Sequence, residues 1–194
     1  MVRKTLSSAL TEFVPHDTID ELTAEFRSIA QSVFSGYFRV NNEYEIHPVD
    51  IEFYFHDENG SVKEERMYHK GNLPFFKLGT LCPNASGVDV TFEKNEGSLK
   101  YRASFLIRGY KYISLTNKET YVNYDGKSGY HSRYIWDDLF GNASFLGNGL
   151  SIIWVNSLSA FSGNIIESKR VNIQAYNTKE GDRPWRFSID PQQK

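Results

Sequence analysis

Residues 46–58 read I-H-P-V-D-I-E-F-Y-F-H-D-E, and beyond Pro48 the run alternates without a slip. Val49, Ile51, Phe53 and Phe55 take one parity; Asp50, Glu52, Tyr54 and His56 take the other. Side chains of a strand repeat every two residues, so the apolar groups share one face and the ionisable or hydrogen-bonding groups share the opposite one. Two readings of the polar parity stay open. It is the wet face of a half-buried antiparallel strand, or it furnishes a reactive pocket. An ordinary solvent face favours Lys, Thr and Ser, whereas a carboxylate beside a phenol and an imidazole is equipment for acid–base chemistry.

The bulk composition narrows the setting. A chain of 194 residues, 40% hydrophobic and 24% charged, is long enough to bury a core as one globular domain. Aromatic residues reach 15%, which suits strands and also pockets for flat ligands. The single Cys82 excludes an internal disulfide and a multi-cysteine zinc site, and fits a reducing compartment. The opening M-V-R-K-T-L-S-S-A-L-T-E-F has no apolar run behind its basic residues, so no secretory signal is expected. No apolar stretch approaches the roughly 18 residues of a membrane span. The expectation is a cytoplasmic protein without a membrane partner. Net charge is −2, against a large electrostatic footprint on nucleic acid. Residues 1–97 hold 9 basic and 16 acidic side chains and residues 98–194 hold 13 and 8, so a basic surface would come from the second half.

Taken in order, residues 1–16 read as a loosely attached arm and 17–194 as a single domain. Asp17 is a suitable N-cap for a helix whose apolar positions are Ile19, Leu22, Phe26, Ile29 and Val33, with Gly36 closing it. Strands follow at 37–40 and 43–56 about an Asn41-Asn42 turn. Residues 70–86 carry Gly, Pro and Asn throughout and read as mostly loop. Gly87–Glu93 alternates as a strand, and Leu99–Arg108 has the apolar density of a central one, with 110–115 either continuing it or starting another short strand. Tyr134–Phe140 reads as a short helix closed by Gly141, Leu150–Val155 as a buried run, and 170–176 and 185–189 as two last strands. The fold class expected is α+β: an antiparallel-rich mixed sheet with few helices.

Chemistry is more restricted. No glycine-rich phosphate loop and no G-x-S-x-G elbow is present, and nothing around Cys82 lowers a thiol pKa. His47, His56, Asp57, Glu58 and His69 offer mixed nitrogen and oxygen ligands within 23 positions, yet without the H-x-x-x-H spacing that fixes two on a helix. Glu52, between Ile51 and Phe53, has surroundings able to raise its pKa for work as a general base. Tyr54 presents its ring on the same face. A carboxylate that activates water beside a ring that stacks on a planar group is what base excision requires.

V-D-I-E-F-Y at 49–54 resembles the V-E-x-E-A-Y strand of the alkyladenine-type 3-methyladenine DNA glycosylases. R-M-Y-H-K-G, A-S-F-L-I-R-G and the ending S-K-R-V-N-I…D-R-P-W-R-F-S-I resemble three further segments of that family in the same chain order. The likeness covers roughly residues 10–190 and implies a methylpurine-DNA glycosylase-like fold acting on double-stranded DNA with a flipped damaged base. By this resemblance Glu52 is the catalytic base, Tyr54 the ring that stacks on the base and Arg108 the arginine that holds the attacking water. His69 and Asp89 would line the pocket, Asp89 where the family has Asn. The family's wedge segment G-x-x-Y-V-Y-x-x-Y-G has no counterpart; L-P-F-F-K-L-G occupies that region, with Phe75 or Phe76 as the wedge. The mechanism it implies needs no metal and no cofactor. The alternative is a non-catalytic binding protein that uses an aromatic pocket for a small planar ligand.

Overall fold

The structure, a computed structural model, describes residues 4–64, 67, 74–84, 86–123, 134–141, 149–157, 161–171 and 178–193. Two long strands organise it, β2 (Tyr44–Asp57) and β6 (Leu99–Ser114), paired antiparallel along their length. Around them lie β1 (Gly36–Val40), β3 (Leu81–Asn84), β4 (Gly87–Thr91), β5 (Lys94–Glu96), β7 (Thr120–Asn123), β8 (Ile152–Asn156), β9 (Ile166–Ser168) and β10 (Arg186–Ser188). The path runs β3-β4-β6-β2-β1-β8, while β10 joins β2 and carries β9 beyond it. The free edge of β6 is taken in turn by β5, β4 and β7. The helices are α1 (Leu6–Thr11), α2 (Ile19–Phe34), α3 (Tyr134–Phe140) and α4 (Thr178–Gly181). An antiparallel α+β domain is what the alternation predicts.

The β2–β6 pair is not regular throughout. Below the irregularity Tyr44 and Ile46 face the core; above it Val49, Ile51, Phe53 and Phe55 do. Opposite them β6 changes parity as well, from Tyr101, Ala103, Phe105 and Ile107 to Tyr110 and Ser114. β2 reverses faces between Ile46 and Val49 and β6 between Ile107 and Tyr110, next to the disturbed register at Pro48–Ile51. Such a distortion bends and twists a sheet, and here it lets both halves of β2 cover one core. The Asn41-Asn42 turn that precedes it is as expected: both residues hold positive φ, 49° and 59°, which asparagine tolerates and hairpin turns require.

Helix α2 lies across the apolar face. Thr18, not Asp17, caps it: Thr18 Oγ1 accepts the Glu21 N–H at 3.3 Å and donates to Glu21 Oε2 at 2.6 Å, a Thr-x-x-Glu box. Phe26 stacks on Phe53 at 4.5 Å and meets Trp185 edge-on at 5.1 Å. Full burial of a side chain of that size contributes about 1.5–3 kcal/mol. The helix ends at Phe34 with Ser35 as cap. Gly36 serves packing instead, because a Cβ there would lie 2.4 Å from the Trp154 ring of β8.

Other expectations need correction. Residues 4–16 are not a loose arm: α1 and the turn after it bury Leu6, Ala9, Leu10 and Phe13 in the core, and the Phe13 ring touches Phe26, Phe55, Phe92 and Tyr101. Leu150–Val155 is no buried run, since β8 leaves Ile153 48% exposed. Leu81–Asn84 forms β3 within a region read as loop. Arg170 and Val171, also expected as strand, lie outside any strand, and the rest of that expected strand, 172–176, falls outside the described residues.

Candidate functional site

The polar parity of β2 is not a wet face. Asp50, Glu52 and His56 are buried and Tyr54 is half-buried. Glu52 stands mid-strand between two neighbours, opposite Leu106 of β6 and Arg186 of β10. Asp89 of β4 opposes Leu106 from the other side. Directly opposed residues share a face, so Asp89, Leu106, Glu52 and Arg186 form one row across four strands, with adjacent members about 5 Å apart.

Glu52, 0% exposed, is held by three donors. Val171 N–H reaches Oε1 at 2.7 Å; the Tyr54 hydroxyl at 3.0 Å and Arg108 Nη1 at 3.2 Å both reach Oε2. Arg108 stands where β6 reverses its face, so the irregularity brings a cation to the carboxylate. Among the described residues Glu52 is the only polar partner of Arg108, which is 7% exposed, and most of its guanidinium N–H groups remain unspent there. Asp50 differs: Arg186 grips both its oxygens, at 2.9 and 2.6 Å, a bidentate pair. Asp89 accepts from Asn84 Nδ2 at 2.8 Å and from the Ser104 hydroxyl at 3.1 Å.

Burial raises the Glu52 carboxyl above its ordinary value, against the pull of Arg108 and the Val171 N–H. Burial, helped by the charge on Glu52, pushes the Tyr54 hydroxyl well above its usual range. Asp89 is pushed up to about 6, again chiefly by burial. A carboxyl with a raised pKa takes a proton from water more readily near neutral pH than an exposed one does. Arg108 and the carboxylate then offer one donor group and one acceptor side by side, the minimum needed to orient and deprotonate a water molecule.

The structure thus brings Glu52, Tyr54, Arg108 and Asp89 onto one face. His69 lies outside the described residues. Phe75 and Phe76 are half-buried: the Arg102 guanidinium sits 4.0 Å over the Phe75 ring, and the Phe76 N–H is bound to Glu93 Oε2 at 2.9 Å. His47 and His56 are far apart in role. His56 Nδ1 accepts the Glu64 N–H at 3.0 Å, whereas His47 pairs with Glu45 at 3.0 Å and stacks on Tyr37 at 4.6 Å. Among the described residues no three of His, Cys, Asp and Glu are grouped to hold a metal ion, and no helix is long and apolar enough to cross a membrane. Burial pushes the Cys82 thiol up to about 11, which makes it a poor nucleophile.

Sequence reasoning missed the Val171 N–H, the Asp50–Arg186 pair, and Glu64 and Arg170 behind the site. The only signal for Val171 was the R-V-N-I segment. A backbone donor leaves no residue-type trace, and the partners of Glu52 on this side are 119 residues away in the chain. A cleft of about 450 Å³ opens elsewhere, between the end of α2, β1 and the 161–163 loop, with Phe34, Tyr37, His47 and Phe161 among its walls. Glu52, Tyr54 and Arg108 do not line it.

Compared with protein-family models, curated proteins and solved structures, the chain matches none. Fold and site together define a class by geometry alone, an antiparallel α+β domain with a buried carboxylate that accepts hydrogen bonds from both a phenol and a guanidinium.

Proposed function

We propose that this protein is a hydrolase of the N-glycosylase type, which excises alkylated purines from double-stranded DNA through water activated at Glu52. The observation that supports it is the contact of Glu52 with both Tyr54 and Arg108 on one buried face. In this reaction the bond between C1′ and the base nitrogen breaks and its electron pair leaves with the base. The sugar becomes oxocarbenium-like, and the negative charge of Glu52 stabilises it. Water adds to C1′ and its proton passes to the Glu52 carboxylate; Arg108 directs the water oxygen. Arg170 covers one face of the Tyr54 ring at 4.9 Å, so a flipped base would stack on the opposite face. Asp89 would meet the base edge, and Phe75 or Phe76 would fill the vacated stack, Phe75 after leaving Arg102.

Purified protein incubated with methylated duplex DNA tests this reading. Release of free methylpurine, abolished in Glu52→Gln with the fold intact, is the expected result. Equal release by Glu52→Gln refutes it. A second reading, a binding protein for a small planar uncharged ligand, is favoured by the cleft walled with Phe34, Tyr37, His47 and Phe161. Its signature would be no base release, together with thermal stabilisation by nucleobases that Phe161→Ala removes and Glu52→Gln does not.

A further inference from the structure

β10 covers β2 only as far as Glu52; one step on, Phe53 N–H still finds the Trp185 carbonyl at 2.8 Å. Beyond that an ion pair replaces the missing strand. Arg170 Nη1 donates to the Phe53 carbonyl at 3.0 Å, and Glu64 Oε2 accepts the Phe55 N–H at 3.0 Å. Between them Arg170 Nη1 and Glu64 Oε1 meet at 2.6 Å. The two backbone groups so bound flank Tyr54 on either side. Arg170 Nη2 reaches the Glu180 carbonyl at 2.8 Å, which ties the segment to α4. Both side chains are buried, Arg170 at 2% exposed and Glu64 likewise.

Sheet edges are ordinarily finished by water or by another strand; two buried opposite charges are a costly way to finish one. What they add is position. The residue after Arg170 aims its N–H at Glu52 Oε1, 2.7 Å away, and the Arg170 guanidinium lies over the Tyr54 ring. We propose that Arg170, anchored on Glu64, is a positioning residue for Glu52: it delivers the Val171 N–H to the carboxylate and holds the Tyr54 ring beside it. The inference rests on Glu52 being the reactive carboxylate, and it assigns what keeps that carboxylate ionisable inside the protein. The other groups that face Glu52 are Tyr54 and Asp50 on its own strand, Arg108 from β6, Asp89 from β4 and Arg186 from β10. None of them is supplied by the 170–171 segment, so removal of Arg170 takes away the Val171 N–H and the hold on the Tyr54 ring while Arg108, Asp89, Arg186 and Asp50 stay in place.

The test follows Glu52 itself. In protein carrying ¹³C-labelled glutamate, with the Glu52 signal assigned by its loss in Glu52→Gln, the carboxyl carbon and the Val171 amide proton are titrated together. In the wild type the two move with one midpoint. In Arg170→Met the amide no longer follows, and the acid dissociation constant of Glu52 falls about tenfold or more, the effect of losing a hydrogen bond to a charged acceptor. Arg170→Lys reaches Glu64 but cannot span three acceptors, and falls between. Should Arg170→Met not fold, Arg170→Lys and Glu64→Gln decide by the same readout. A folded variant with a lowered melting temperature but an unchanged Glu52 midpoint overturns the proposal, because a merely structural residue would behave so. If wild-type protein releases no base, the glycosylase reading fails while this titration still stands or falls by itself.

Discussion

Asp89→Asn is expected to stabilise the protein at neutral pH and to leave it unchanged in acid. The Asp89 carboxyl, 1% exposed, rises from an ordinary 3.8 to about 6 in the folded chain. A raised folded pKa means that the native state holds the proton more tightly than the unfolded chain. The stability it contributes is therefore present in full below 3.8 and lost as pH rises through about 6. That interval amounts to about 3 kcal/mol. Because the group is enclosed, little of this is removed by solvent screening. Asparagine does not titrate, yet its carbonyl can still accept from Asn84 Nδ2, and the Ser104 hydroxyl can turn to accept from the new amide. Urea unfolding of wild type and variant at a series of pH values gives the comparison directly. The two curves should meet near pH 4 and diverge to about 3 kcal/mol in favour of Asp89→Asn near pH 7. Parallel curves, or a variant that is weaker at neutral pH than in acid, would refute the argument that burial leaves Asp89 a proton-binding group.

Two further outcomes follow from packing and charge. Arg186→Met strips Asp50 of its bidentate partner while Asp50 stays buried, and should cost about 3–5 kcal/mol in chemical denaturation. Gly87→Ala should be destabilised by about 2 kcal/mol or more in thermal unfolding, because Gly87 has φ +148° and an added Cβ would lie 2.3 Å from the Ile107 carbonyl oxygen.

Much of the scaffold was legible because it is local. The spacing from Leu22 to Val33 gave α2, the Asn41-Asn42 pair gave the hairpin, and Val49–Phe55 gave a strand whose apolar parity is fully buried. What escaped was not local. The face reversal near Pro48 is matched by one in β6 at the same level, a pairing about 60 residues away that local spacing does not carry. The α1 segment does carry apolar residues at Leu6, Leu10 and Phe13, but so short a helix is stable only through the core that receives it. At the site, Glu52 and Tyr54 announced themselves by parity. The partners that let carboxylates be buried there did not: Arg108, Val171 and Arg186 reach Glu52 and Asp50 across separations of 56, 119 and 136 residues. Asp50 and His56 looked ordinary on the same face and proved enclosed, each bound by a partner that no periodicity encodes.

The central claim is that Glu52 activates water, and single-turnover release of methylpurine from alkylated duplex DNA tests it most directly. Wild-type protein is predicted to release base with a rate that falls as Glu52 is protonated in acid. Glu52→Gln, verified as folded, should lose at least about a hundredfold, the ordinary reach of a general base. Release by Glu52→Gln at the wild-type rate, or none by the wild type under any condition that binds DNA, would contradict the account.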